Sequence, residues 1–283
     1  RGAVLAKVVI DSTGSADIAA LAGADTVYVD GTDIAMQGAG QPPRTLGKNY
    51  TNTDFTFADE TDMIDTWNLM VSAREKYAKA GYFDQFPFID TRERRRIVGD
   101  YTLSVLDMMN QRTFDDTINI SSSNFDTHGY VVDPLMSMVI PKGEVVTQTP
   151  YRCLLPKGLD GILVTGLATS AHRDVIPVIR MQPCLQNQGY AAGVAAAMGA
   201  RTSKPLRQID IRALQKKLVE VGNLPESVLN QRDSYPLPQK QVELAVGTVK
   251  SGYEGLQVLL ACPEQSIPLL RQAHASASGE AKV

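Results

Sequence analysis

The chain has 283 residues, of which 43% are hydrophobic and 21% are charged, and its formal net charge is −3. This composition is ordinary for a globular protein, and the length suits one large domain or two smaller ones. The weak acidic charge gives no electrostatic basis for binding nucleic acid or anionic lipid, so no nucleic-acid partner is expected. No membrane span is expected either, because the longest wholly apolar run of the small-residue tract is far short of the roughly 20 residues needed to cross a bilayer.

Cysteine and histidine are sparse. The three cysteines are widely spaced and include no CxxC pair, which predicts ordinary thiols and no disulfide framework. The three histidines (His128, His172 and His274) form no HxxxH or HxH pair, which argues against a metal centre.

The first predicted element is a buried strand at residues 4–10, a short run rich in β-branched side chains. A turn-rich tract with Thr13 and Gly14 follows, and then a brief helix at residues 18–22 capped by Gly23. The carboxyl end of a strand that meets glycine and a helix is where α/β sheets place ligands.

The next segment predicts a half-exposed antiparallel strand at residues 49–58, because polar residues alternate there with aromatic residues and threonines. Residues 60–80 carry a helical pattern, with Trp67 interpreted as a core residue. Neither of these elements identifies a substrate.

Residues 91–100 form the densest charge cluster of the chain. Its arginines either lie in a solvated turn, or one of them faces inward against an anionic cofactor or substrate. A strand start is predicted at residues 115–120, His128 lies in a turn, and Pro150 indicates an edge strand or a bulge at residues 145–155.

The central segment, residues 159–200, organises the rest of the chain. It predicts a strand at residues 161–166, a polar loop, and a helix at residues 186–198. Gly189 and Gly193 share one helix face with Ala197, and two glycines inside a helix cost roughly 1 kcal/mol each relative to alanine. Close approach of a ligand or of a sheet explains such a face, and a small-residue helix packed on a sheet without any ligand remains the alternative.

The C-terminal part predicts helices. Asp210 is the expected N-cap of a helix over residues 211–221, with Leu214, Leu218 and Val221 as its buried stripe. Residues 224–242 are expected to be a loop, and two further helices, at 249–260 and 263–277, are expected to form a small α-α unit.

Several sequence blocks occur in the same order as in a bacterial family of FAD-dependent oxidoreductases with the glutathione-reductase-like fold, and the chain resembles that family. The blocks are RExRRIxGDY at 92–101, DxHG at 126–129, PYRxLLP at 150–156, and SxH (170–172) and RMxP (180–183) ahead of GxAAG (189–193). The likeness covers roughly residues 3–220. The segment 259–273 is similar to the start of the HEAT-like repeats that some members carry.

The resemblance implies an α/β fold with an incomplete Rossmann-like FAD-binding domain. Residues 1–30 and 151–205 would form parts of that domain, residues 31–150 an inserted α+β substrate domain, and residues 206–283 a helical C-terminal region. The chain has no GxGxxG motif, which in this fold holds the FAD pyrophosphate. Both ends look cut from something longer, so a second chain or a missing segment is expected to supply that half.

The resemblance also implies hydride transfer between flavin and an organic small-molecule substrate that the sequence does not identify. His172 would be a general acid or base, Arg180 an anion clamp, and His128 a further catalytic candidate. A helix starting near Gly189 would direct its positive end at the flavin. The residues expected to bind FAD are Thr13, Gly14, Gly166, Ser170, Gln188, Gly189 and Ala191. The alternative is a non-catalytic scaffold or binding subunit that keeps the flavoprotein fold.

Overall fold

The structure, a computed structural model, describes residues 2–28, 36–40, 56–57, 62–77, 88–91, 95–127 and 131–279. His128 and most of the predicted strand at 49–58 lie outside the described residues. The strands of the described part are β1 (Val9–Asp11), β2 (Thr26–Tyr28), β3 (Met36–Gly40), β4 (Thr56–Phe57), β5 (Phe88–Thr91), β6 (Arg95–Ile97), β7 (Thr117–Ser123), β8 (Val145–Pro150) and β9 (Ile162–Val164).

Helices supply most of the remaining regular structure. They are α1 (Asp17–Leu21), α2 (Met63–Tyr77), α3 (Val105–Met109), α4 (Pro134–Met138), α5 (Ile176–Ile179), α6 (Gln182–Thr202), α7 (Ile211–Glu220), α8 (Gln239–Thr248), α9 (Leu256–Ala261) and α10 (Pro263–Ser276). Within the described residues, none of these helices is both long enough and apolar enough to cross a membrane.

The strands form four small sheets. β1 and β9 pair in parallel, whereas β2 with β6 and β7 with β8 pair antiparallel, and β4-β3-β5 is an antiparallel sheet. A parallel pair with helices around it fits the predicted α/β class. The β7–β8 pairing is irregular between Thr117 and Asn119, next to Pro150, which confirms the irregularity expected there.

The first strand is shorter and more exposed than the predicted buried strand at residues 4–10. β1 begins only at Val9, and Val9 and Ile10 are 39% and 37% exposed. Among the described residues β1 has a neighbour on one side only, β9. Parallel strands are normally covered on both faces, so this exposure is unusual.

Three hydrophobic clusters hold the described part together. The main one joins β7, β8, α3 and the α5–α6 segment through side chains such as Phe114, Ile118 and Leu163. A smaller cluster lies under α1, β6 and β9 and contains Ala16, Ala19, Ile97, Ile162, Val164 and Ala168. A third cluster joins α8, α9 and α10.

The long helix α6 begins at Gln182, four residues before the predicted start, because Pro183 is tolerated in a first helical turn. The close approach expected at Gly189 and Gly193 is not made by the described chain, since no heavy atom lies within 4 Å of a Cβ at either position. It is made instead at Gly199, where a Cβ would lie 2.9 Å from Leu206 Cδ2.

The C-terminal prediction is partly confirmed. Asp210 caps α7 by accepting a hydrogen bond from Ala213 N at 3.0 Å, and Leu214 and Leu218 are buried. Val221, in contrast, is 49% exposed because α7 ends before it. Within the helix predicted at 249–260, residues 249–255 form turns and only α9 is helical, whereas α8 ends before that range and begins inside the predicted loop.

Candidate functional site

The carboxyl ends of β1 and β9 bring two glycine-containing turns together. Thr165 N donates to Asp11 O at 3.0 Å, which extends the parallel pairing beyond β9. The hydroxyls of Ser12 and Thr165 lie 2.9 Å apart and share a hydrogen bond. The tract that follows β1 and the turn that follows β9 are therefore neighbours.

Asp11 shapes the first of these turns. Its carboxylate is buried and accepts hydrogen bonds from Thr13 N at 3.0 Å, Thr13 Oγ1 at 2.7 Å and Ala19 N at 2.8 Å. Burial acts to raise the pKa of this carboxyl, but the hydrogen bonds from Ala19 and Thr13 outweigh it and lower the pKa. Gly14 adopts a φ of 81°, which favours glycine. Asp11 and Thr13 thus build the turn, and Gly14 carries its exposed backbone.

An arginine of the charged cluster reaches the same turn. Arg95 Nε donates to Ser15 O at 2.7 Å, and its guanidinium forms an ion pair with Asp17 at the start of α1. Arg96 is only 4% exposed. Arg95 therefore contacts protein groups of the turn and of α1, and the alternative in which an arginine faces a cofactor or substrate stays a prediction.

Gln188 ties α6 to the second turn. Gly166, with a φ of 82°, donates its N–H to Gln188 Oε1 at 2.7 Å, and Thr169 Oγ1 lies 3.4 Å from the same oxygen. Gln188 is completely buried. Its Nε2 has no hydrogen-bond partner in the described part of the chain. The buried side chain therefore fixes the position of Gly166 through Oε1 and presents no exposed atom to a ligand.

Helix α6 runs antiparallel to β1 and β9. Lys7, just before β1, donates to Ala200 O near the end of α6, whereas Gln188, in its first half, contacts Gly166 beyond β9. The N-terminal half of α6 therefore faces the carboxyl edge of the strands. The expected helix start near Gly189 is wrong, because that glycine lies two turns inside α6 and the positive end of the helix is at Gln182.

Two of the predicted cofactor residues have structural roles instead. Ser170 is fully buried, and its hydroxyl accepts from Gly99 N at 2.9 Å and shares a hydrogen bond with Thr102 Oγ1 at 2.8 Å. Ala191 is a buried member of the main hydrophobic cluster. Gly189 is exposed on the outer side of α6, so of the α6 candidates Gln188 alone contacts the turn after β9.

His172 lies at the start of a short 3₁₀ helix over Arg173–Val175 and is half-buried. Its Nδ1 accepts a hydrogen bond from Asp174 N at 3.2 Å. A neutral imidazole whose Nδ1 accepts carries its proton on Nε2. The ring therefore offers a hydrogen-bond donor at Nε2, while its Nδ1 lone pair is occupied by Asp174 N.

Arg180 is buried between α5 and α6 and reaches the end of β7. Its Nη2 donates to Asp126 O at 2.6 Å and lies 3.4 Å from the Asp126 carboxylate. Because that carboxylate compensates part of its charge, Arg180 is a weaker anion clamp than the sequence implied. It instead anchors the segment that leads directly to His128.

Sequence reasoning missed Ser12, Thr165 and Arg95. Hydroxyl residues and single arginines carry no distinctive pattern, so the pairing of β1 with β9 and β2 with β6 was needed to find them. The one available signal was that Ser12 closely follows the strand predicted at 4–10, whereas Thr165 falls within the strand predicted at 161–166.

Comparison with known proteins adds one match. A family model described as FAD dependent oxidoreductase matches residues 77–218, half of the chain. The matched range contains Gly166, His172, Arg180 and Gln188. No curated protein and no solved structure matches the chain.

Proposed function

We propose that this chain, which belongs to the FAD dependent oxidoreductase family, transfers a hydride between an organic substrate and FAD at the carboxyl edge of β1 and β9. The family binds FAD, and bound FAD would supply the redox chemistry while the protein orients the reactants. One observation carries the location: the contacts Ser12–Thr165 and Gly166–Gln188 join β1, β9 and α6 at one edge.

The residues at this edge suit a flat, hydrogen-bonding ring. No heavy atom of the described chain lies within 4 Å of a Cβ at Gly14 or Gly166, so an aromatic ring can approach the backbone there. Gln188 is completely buried, so its role is to hold the Gly166 turn through Oε1 and not to contact the ring. Arg95, although paired with Asp17, adds positive charge beside the Gly14 turn.

His172 would orient the substrate in this proposal. Its Nδ1 accepts from Asp174 N, so Nε2 can donate a hydrogen bond to a substrate oxygen or nitrogen and polarise it. Arg180 holds Asp126, and His128, which lies outside the described residues, stays a catalytic candidate that the resemblance implies. The domain limits follow the resemblance: 1–30 and 151–205 for FAD, 31–150 for substrate and 206–283 for the helical region.

We further propose that a separate polypeptide or another segment supplies the phosphate-binding half of the site. The exposed side chains of Val9 and Ile10 support this, because a parallel strand is normally covered by neighbours. The absence of GxGxxG from the sequence supports it as well. Measurements of FAD binding therefore require the native protein with its associated polypeptides.

Replacing Gly166 by alanine tests the site, and Gly143 provides a matched control. Both glycines have φ near 80° and open space around a Cβ, so alanine strains both turns equally. Gly143 lies in the turn before β8, away from the β1–β9 edge. FAD fluorescence titration should show a Kd raised about tenfold or more for Gly166→Ala and unchanged for Gly143→Ala.

Equal affinities for the two variants would exclude the Gly166 turn as the cofactor site. Native protein without any flavin absorbance would instead support the scaffold alternative.

A further inference from the structure

The inner face of the β7–β8 pair is polar although it is buried. Asn119 lies opposite Thr149 and Ser121 lies opposite Thr147, so these four side chains share one face. None of them is more than 2% exposed, whereas Val146 on the outer face is 38% exposed. Four polar side chains thus lie on a buried face, where apolar residues are usual.

The face packs against the start of α6. Asn119 Nδ2 donates to Cys184 O at 3.2 Å, in the first turn of α6, and lies 3.3 Å from Ser121 Oγ. These contacts satisfy the amide nitrogen and place the polar face against the helix end.

Three oxygen atoms of the same face have no protein partner. In the described part of the chain, Asn119 Oδ1 and the hydroxyls of Thr147 and Thr149 make no hydrogen bond. Buried polar groups are almost always paired with protein or with ordered water. Three unpaired oxygens on two neighbouring strands therefore need a common explanation.

We infer that an internal water site lies between the β7–β8 pair and the first turn of α6, held by Asn119 Oδ1 and the hydroxyls of Thr147 and Thr149. Water can donate to the amide oxygen and both donate to and accept from the hydroxyls, and buried waters typically make about three such bonds. The three oxygens are neutral, and no group of metal-binding residues occurs among the described ones, so water fits better than a divalent ion. This inference is independent of the proposed function.

Substituting valine for the threonines tests the site, because valine keeps the shape and removes the hydroxyl. If the hydroxyls bind water, Thr147→Val and Thr149→Val should each lower the melting temperature by about 2–4 °C. If the hydroxyls are truly unpaired, each substitution should raise it, which would overturn the inference. Val146→Thr on the exposed face is the control and should leave the melting temperature unchanged.

Magnetic relaxation dispersion of water in solutions of the wild-type protein provides a measurement that needs no stable variant. It should detect long-lived internal water, and Thr147→Val/Thr149→Val should lose at least one such molecule. Wild-type protein without a long-lived water would contradict the site. A melting temperature that rises with potassium but not with choline would show a bound cation and would also overturn the inference.

Discussion

At the residue scale, the candidate site depends on a few buried polar side chains that shape backbone turns. Asp11 organises the turn after β1 through Thr13 and Ala19, and Gln188 holds the turn after β9 through Gly166. Both side chains come from regular elements, so they fix the turns with little freedom. The glycines between them expose backbone where a ring can approach.

Asp11 should make stability depend on pH in the acid range. Its folded-state pKa lies below the ordinary value of 3.8, mainly because hydrogen bonds to the ionised form overcome the effect of burial. Its stabilising contribution is therefore complete above the unfolded-state pKa and is lost as the pH falls through the folded-state pKa. Urea unfolding from about pH 5 to about pH 2 should show a smaller loss of stability for Asp11→Asn than for wild type. Parallel curves would contradict this role.

Substitutions of His172 should separate its effect on stability from its effect on turnover. His172→Asn keeps a side-chain acceptor for Asp174 N and removes Nε2. We expect the melting temperature to be nearly unchanged and turnover of any substrate that reduces the wild-type flavin to fall about 100-fold or more. Turnover at the wild-type level would remove His172 from the mechanism, whereas His172→Leu should lower the melting temperature by losing the cap.

At the element scale, α6 shows which features a sequence pattern can predict. Its existence, the buried strand β9, the short helix α1 and the cap at Asp210 follow from local signals and are confirmed. Its start was placed four residues too late, although the first helical turn tolerates Pro183.

The predictions that failed share a physical cause, because each of these features depends on contacts with residues far away in the sequence. Trp67 was expected in the core, yet it is 57% exposed, and Leu69 and Ala73 form the buried side of α2 instead. Helix α8 was missed because its flanking prolines suggested a loop, while its burial against α9 and α10 is a tertiary effect. The site residues Ser12 and Arg95 likewise become visible only once the strands pair.

Glycine substitutions along α6 should separate its open face from its packed face. Gly193→Ala should stabilise the protein by about 1 kcal/mol, because a helix favours alanine and no described atom lies near the added methyl group. Gly199→Ala should destabilise it, since the methyl group would clash with the buried Leu206. Thermal unfolding measures both changes, and a loss of stability at Gly193 would show that this face is covered.

At the scale of the whole molecule, the exposed strand β1 is the least complete part of the described fold. Parallel sheets usually extend on both sides and are covered by helices, but β1 contacts only β9 among the described residues. The candidate cofactor site lies at the end of the same strand. In the proposal, the polypeptide or segment that completes the sheet beside β1 therefore also completes the cofactor site.

A charged side chain on the exposed side of β1 should weaken the binding of the polypeptide that completes the sheet, without unfolding the chain. Val9→Lys places an ammonium group at a position that is 39% exposed, and Leu244→Lys in α8, 68% exposed, is the control. We expect Val9→Lys to reduce the amount of FAD retained, measured by flavin absorbance, and the amount of any associated polypeptide, measured by native mass spectrometry. Equal behaviour of the two variants would show that the β1 edge contacts no partner.

Hydrogen–deuterium exchange of the native protein, with and without FAD, tests the central claim most directly. If FAD binds at the carboxyl edge of β1 and β9, the cofactor should slow exchange at residues 12–16 and 166–170 and leave α8–α10 unaffected. Bound FAD that protects other segments and leaves both turns unchanged would contradict the account.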